Sequence, residues 1–264
     1  MSILATRMVE KPWGRDVLPA PFTAPPGQRI GEVWFQPPPE IPQLLIKYIF
    51  TSEKLSVQVH PGGKVGKEEC WLVIAAQPGA SLGVGFRQPI SAQAMRAAAL
   101  DGSIEDLLMW HPVQPGDFFY IPAGTVHAIG AGVSLIEVQQ NADITFRLYD
   151  YGRPRELHLD AGLIAALGTV HDPALRRSAG EAGTADAGTV CLVDGPHFRL
   201  WRCDGVAAAA RWCRIGCAAA LVIPLDKPAR IAGKSLVPGQ CGMVLSGDEI
   251  EIDGFCLIAE SCAP

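Results

Sequence analysis

Short runs of β-branched and aromatic residues, punctuated by Gly, Pro and Asp, dominate the first half of the chain: Leu44 to Phe50, Leu55 to His60, Cys70 to Ala75, Asp117 to Ile121, Val133 to Gln139 and Ile144 to Tyr149. These runs predict β-strands. In SVQVHP, residues 56–61, successive side chains of a strand point to opposite faces, so Ser56, Gln58 and His60 share one face and Val57 and Val59 the other. Helical character is confined to three places: Ser91 to Leu100, with Ser91 as N-cap, Ser103 to Trp110, capped by Ser103, and Leu157 to Leu167. Residues 171–190 then turn to small and charged types and read as a linker or loop. From Phe198 short strands resume, with turns at Asp226-Lys227-Pro228, Pro238-Gly239 and Ser246-Gly247-Asp248. The pattern predicts a mainly β protein in two units: residues 1–170 with the helices, and a smaller β-domain at 191–264.

Composition narrows the partners. The 264 residues are 48% hydrophobic and 19% charged, a globular balance with ample material for a core. Net charge is −5 and no Lys/Arg run exceeds two residues, which argues against nucleic acid and anionic membrane as partners. MSILATRMVEKPWGRD lacks the apolar stretch of a signal peptide, and the apolar region around 206–225 is interrupted by Arg211 and Arg214. A cytoplasmic location is expected. Eight cysteines occur without a C-x-x-C pair, seven of them after residue 190, and are expected as buried free thiols rather than disulfides or a zinc site.

The segment Gly116-Asp-Phe-Phe-Tyr-Ile-Pro122-Ala-Gly124-Thr-Val-His127 fits G-x5-P-x-G-x2-H, the second motif of the cupin barrels. The first cupin motif carries His or Gln two residues before a His and then a Glu on the next strand, positions held here by Gln58, His60 and Glu69. Two imidazoles, a carboxylate and an amide oxygen suit zinc or another first-row divalent ion and leave room for water or substrate. His111, His158 and His171 have no such company and are expected to be packing or surface residues. The expected fold is a cupin, or jelly-roll, β-barrel with flanking helices and a metal-free C-terminal β-domain.

A narrower resemblance lies in LSVQVHP, GKEECWLVIAAQPGA, GDFFYIPAGTVHAIGAG and IEVQQNADITFRLYDYGR, with KPWGRD and IGEVWF near the start. These stretches resemble the type I mannose-6-phosphate isomerases in their short bacterial form, from about residue 10 to 160 and most densely between 44 and 155. The resemblance implies one zinc ion per chain on Gln58, His60, Glu69 and His127, with Glu69 rather than Glu68 as the ligand because it directly precedes Cys70-Trp71. It also implies that Ser56, Lys67 and Asp143 line the substrate pocket and that Glu137 and Arg147, ten apart, stand beside the sugar.

The implied reaction interconverts D-mannose 6-phosphate and D-fructose 6-phosphate by moving a proton between C2 and C1 through a cis-enediol. Such a reaction needs a proton-transfer group and a group to hold charge on the oxygens. Glu137 is the first candidate for the acid/base, Lys67 its rival, and Arg147 suits the enediolate. A cross-strand Glu137–Arg147 ion pair is the plain structural alternative. Arg153 stands where longer members carry a Lys at the phosphate, Gly62-Gly63 follow Pro61 where relatives carry acidic residues, and the large helical insertion of longer members is missing. An isomerase of a free aldose and a non-catalytic sugar-binding cupin therefore remain alternatives. An iron dioxygenase is disfavoured because Gln58 replaces a histidine. The expected partner is a small sugar phosphate, and the expected state a monomer or weak homodimer.

Overall fold

The β-rich runs do become strands, and the computed structural model, which describes residues 1–63, 66–178, 188–205 and 218–262, arranges them in four antiparallel sheets among the described residues. In chain order the strands begin with β1 (Ser2–Ile3), β2 (Thr6–Arg15), β3 (Ile30–Phe35), β4 (Leu44–Phe50), β5 (Val57–Val59), β6 (Glu69–Ala76) and β7 (Ser81–Phe86). There follow α1 (Ala92–Asp101), α2 (Ile104–Leu107), β8 (Leu108–Pro112), β9 (Phe118–Ile121), β10 (His127–Ile129), β11 (Val133–Gln140), β12 (Phe146–Tyr149), α3 (Leu159–Ala165) and β13 (Arg176–Arg177). The chain continues through β14 (Thr189–Asp194), β15 (Phe198–Asp204), β16 (Ala219–Pro224), β17 (Ala229–Ile231), β18 (Lys234–Leu236), β19 (Gly242–Leu245), β20 (Ile250–Ile252) and β21 (Phe255–Ser261).

Two sheets form the walls of the cupin barrel. One has the order β13-β9-β6-β11-β4-β3-β2 and the other β12-β5-β10-β7-β8. Trp13, Ile49, Trp71 and Leu135 of the first pack on Leu82, Val84 and Ile129 of the second. The outer face of the first sheet is covered as well: Leu44, Ile46, Tyr48, Phe50, Ile136 and Val138 pack against Phe198, Leu200, Leu221, Ile223 and Leu257 of the C-terminal sheet β1-β19-β16-β21-β15-β14. Burial on both sides explains why LLIKYIF is apolar throughout except for one lysine. By alternation, Lys47 shares the barrel-facing side with Leu45 and Ile49. A second core lies between the C-terminal sheet and the small sheet β18-β17-β20, with Val222, Ile231, Val244 and Ile258 at its centre.

Two sequence expectations shift. The helix predicted from Ser103 to Trp110 ends at Leu107, and Leu108 to Pro112 pair instead with β7, so tertiary pairing with a buried Leu108 overrides a weak helical pattern. Strands β1, β2, β3, β7, β10 and β13 add to those read from the pattern; β7 is SLGVGF, whose glycines lower its strand signal. Of the segment expected as linker, Arg176 and Arg177 pair with β9, while residues 179–187 lie outside the described ones. The described cysteines are free thiols; burial pushes Cys203 up to about 11 and Cys256 up to about 12, and Cys213 and Cys217 lie outside the described residues.

Candidate metal centre and active site

Three strands converge on one point of the barrel interior. His60 follows β5, Glu69 opens β6 and His127 opens β10, where it pairs directly opposite Gln58 of β5. All three chemically active side chains are buried, and one donor atom from each lies within 4.8 Å of the others. Glu69 Oε2 stands 3.2 Å from His60 Nε2, and Oε1 stands 3.4 Å from His127 Nε2. His60 Nε2 and both Glu69 oxygens are nonetheless buried with no aligned hydrogen bond, so donor atoms crowd together without satisfying one another. That is the arrangement a bound cation resolves.

The outer contacts orient the ligands. His60 Nδ1 donates to Ile144 O at 2.9 Å and His127 Nδ1 to Thr125 O at 2.8 Å, so the protons sit on Nδ1 and both Nε2 lone pairs face the centre. Burial pushes His127 down to about 4, and burial together with Lys67 also lowers His60, so both rings are neutral, the form that ligates metal. Burial alone would raise the Glu69 carboxyl, but Lys67, His60 and His127 hold it well below the usual carboxylate range. Gln58 Nε2 lies 3.3 Å from His127 Nε2, and the Ser56 hydroxyl donates to Gln58 Oε1 at 3.4 Å. Because a hydroxyl both donates and accepts, Ser56 serves either amide orientation, including the one that presents Oε1 to a cation. Two neutral imidazoles, a carboxylate and an amide fit a divalent ion.

A cavity of about 200 Å³ opens beside this centre and is lined by Gln58, Lys67, Glu137, Asp143 and Arg147, along with Lys11, Trp13, Glu32, Trp34, Lys47, Gln139 and other side chains. Lys67 Nζ lies 3.0 Å from Glu69 Oε2. Its neighbour Glu68 points away and binds the Tyr120 hydroxyl, which leaves Glu69 as the inward carboxylate. Glu137 does not pair with Arg147. Its Oε1 accepts from Lys47 Nζ at 2.8 Å and its Oε2 from Trp71 Nε1 at 3.1 Å. Arg147 donates to Glu156 O, keeps a buried Nε without a partner, and has its backbone N–H on His158 Nδ1 at 3.2 Å. Burial and the nearby Arg155 lower the Arg147 guanidinium.

Arg153 is not among the cavity-lining residues. Its guanidinium is held by Asp150 at 3.0 Å and by the Lys54 carbonyl at 2.6 Å, and Arg155 grips the same buried Asp150. Ser56 likewise does not line the cavity; it acts on Gln58. His171 bonds the Tyr120 carbonyl and His111 faces Arg176, both packing roles. The sequence reading missed Lys47, Glu32, Trp34 and Gln139. The signal was present: a lone lysine in the apolar strand LLIKYIF and the one glutamate of VSLIEVQQ stand directly opposite one another in register.

No family model matches the chain. In sequence it is similar to the mannose-6-phosphate isomerase of Streptococcus mutans, 38% identical over 175 residues that make up 60% of this chain and 54% of the relative. It is also similar to that of Bacillus subtilis, 35% identical over 184 residues, 62% of this chain and 57% of the relative. The matched region thus spans a little over half the length of these relatives. In structure, the chain superposes on the crystal structure of a mannose 6-phosphate isomerase from Bacillus subtilis with a TM-score of 0.76 at 22% identity, covering 98% of each chain. A phosphomannose isomerase mutant from Salmonella typhimurium gives 0.71 at 13% identity and 99% coverage of each. The chain is thus similar in sequence to mannose-6-phosphate isomerases over about 60% of its length, and it shares the fold of solved ones over nearly all of it.

Proposed function

We propose that the chain is an aldose–ketose isomerase interconverting D-mannose 6-phosphate and D-fructose 6-phosphate, with zinc on Gln58, His60, Glu69 and His127. The observation that carries this reading is the buried Glu69 carboxylate, set between two neutral imidazoles whose Nε2 atoms face it, beside a cavity lined by Glu137 and Arg147. A bound zinc ion supplies Lewis-acid polarisation of the sugar oxygens, worth several kcal/mol of charge stabilisation. Glu137 takes the C2 proton of the open-chain aldose and returns it to C1, a role contributing roughly 10²–10⁴-fold in rate, while a second proton passes from the C2 hydroxyl to O1 at the enediol stage. Its two oxygens are held by Lys47 and Trp71, which leaves acceptor positions free toward the cavity. Arg147, with an unpartnered buried Nε, holds the negative charge that develops on the enediol oxygens. Lys67 neutralises Glu69, and Asp143 contacts the sugar hydroxyls at the cavity wall.

The substrate is a small molecule, and among the described residues no helix is long and apolar enough to cross a membrane. A second reading, isomerisation of a free aldose, is favoured by one observation: Arg153, the residue expected at the phosphate, is committed to Asp150 outside the cavity. Coupled assay of ketose formation from mannose 6-phosphate and from mannose by zinc-loaded enzyme decides between them. Turnover of the phosphorylated sugar supports the first reading, turnover of mannose alone supports the second, and turnover of neither overturns both.

A further inference from the structure

A second cavity, of about 350 Å³, adjoins the one beside the metal centre. Trp34, Leu45 and Asn141 line both, so the two spaces share a wall. Thr6, Arg7 and Gln36 line the far side of the second. The register of the large sheet ties the two together. Arg7 of β2 stands opposite Trp34 of β3, Trp34 opposite Lys47 of β4, and Lys47 opposite Glu137 of β11. Residues directly opposite one another in a sheet point to the same face, so these four side chains form one row across the barrel-facing side.

Charge singles out Arg7 within that row. In the first cavity Lys11 pairs with Glu32 at 3.3 Å, Lys47 with Glu137 at 2.8 Å and Lys67 with Glu69 at 3.0 Å, while Arg147 serves the enediol oxygens. Arg153 and Arg155 are both held by Asp150. Among the described residues the exposed Arg7 guanidinium meets no carboxylate; it lies over the Trp34 ring, with Cζ 4.7 Å from the centroid. An aromatic face steadies the cation without consuming its N–H donors, which a planar guanidinium offers to phosphate oxygens in pairs. The Thr6 hydroxyl and the Gln36 amide add neutral donors along the same wall.

We propose that the second cavity receives the phosphate of the substrate and that Arg7, steadied on Trp34, is the residue that recognises it. This rests on the reading of the first cavity as the place where the open-chain sugar reacts. Three strand spacings separate Arg7 from Glu137, roughly 14 Å between Cα atoms. A hexose 6-phosphate carries its phosphate at the end of the chain far from C1 and C2, and an arginine side chain reaches toward it from the opposite end of the row. Arg153 then stays on Asp150 without loss of phosphate recognition. Because Arg7 touches the end that does not react, it sets affinity and the preference for a phosphorylated sugar rather than the rate of proton transfer.

The test compares zinc-loaded wild type, Arg7→Gln and Arg7→Lys in steady-state kinetics. Arg7→Gln is expected to raise KM for mannose 6-phosphate by roughly 10-fold while kcat changes by less than about threefold. Arg7→Lys keeps the charge but not the paired donors and falls between wild type and Arg7→Gln. The apparent affinity for free mannose, as substrate or as inhibitor, changes by less than about threefold in either variant. Because Arg7 is exposed, the difference in KM shrinks as salt is raised. A KM for mannose 6-phosphate that moves less than about threefold in Arg7→Gln overturns the proposal. Equal weakening of both sugars also overturns it and makes Arg7 a prop for Trp34, as does wild-type turnover of mannose but not of mannose 6-phosphate.

If wild type turns over neither sugar, the isomerase reading fails, and protection against thermal unfolding still reads the phosphate contact. Mannose 6-phosphate must then raise the unfolding midpoint of zinc-loaded wild type more than mannose does at the same concentration, and Arg7→Gln must erase that difference. Equal protection of wild type by the two sugars, or a difference that survives in Arg7→Gln, overturns the proposal.

Discussion

Replacing Lys67 by Met isolates the electrostatics of the centre. Lys67 is 5% exposed and Glu69 fully buried, with Nζ 3.0 Å from Oε2. At that separation an effective dielectric of about 20 gives a raw attraction on the order of 5 kcal/mol, and removing one partner of a buried pair typically costs about 3–5 kcal/mol because the other charge is stranded. Only neutral His60 and His127 would remain beside the carboxylate. For a chain of this size that loss corresponds to a fall in Tm on the order of 10 °C. The assay is thermal and urea unfolding of chelator-stripped wild type and Lys67→Met, repeated with saturating zinc. A divalent cation on Glu69 replaces the missing charge, so zinc should recover about half or more of the deficit. A metal-free variant within about 1 kcal/mol of wild type would refute the reasoning.

Three further outcomes follow from the same geometry. A Cβ on Gly31 would meet Lys11 Cβ at 2.6 Å and Trp13 Cζ3 at 2.7 Å, so Gly31→Ala should displace both residues from the cavity wall, with a stability loss of about 1–3 kcal/mol in urea unfolding and a raised KM. Because the folded-state values of His60 and His127 lie below the usual 6.5, the unfolded chain binds more protons; metal-free protein should lose stability as pH falls from about 6.5 toward 4, and replacing His127 by Gln should flatten that slope in pH-dependent unfolding. Arg153→Gln should cost stability through Asp150 while changing KM for mannose 6-phosphate by less than about threefold; a larger rise in KM would place its guanidinium on the phosphate.

The convergence of His60, Glu69 and His127 was legible in the sequence because strand alternation and a Gly/Pro turn tie residue spacing to geometry. Gln58 and His60 share a face of one strand region, and the motif ending in His127 returns the chain to a position opposite Gln58. Glu69 rather than Glu68 came from the resemblance, in which the metal glutamate directly precedes Cys70-Trp71, and Glu68 turns instead to the Tyr120 hydroxyl. What stayed hidden depended on cross-strand register, which no local pattern encodes. The Lys47–Glu137 pair joins residues 90 apart in sequence, and the grip of Arg153 and Arg155 on a buried Asp150 depends on the same tertiary context. The false helical reach to Trp110 has the same origin: Leu108 is buried by pairing with β7, a partner invisible in a local window.

The most direct test strips the protein of metal with a chelator and then follows conversion of mannose 6-phosphate to fructose 6-phosphate before and after adding zinc, in wild type and in Glu69→Gln. The account predicts negligible turnover in the stripped protein, recovery at one zinc per chain in wild type, and no recovery in Glu69→Gln. Full turnover by the stripped protein, or zinc-restored turnover undiminished by loss of the Glu69 carboxylate, would contradict it.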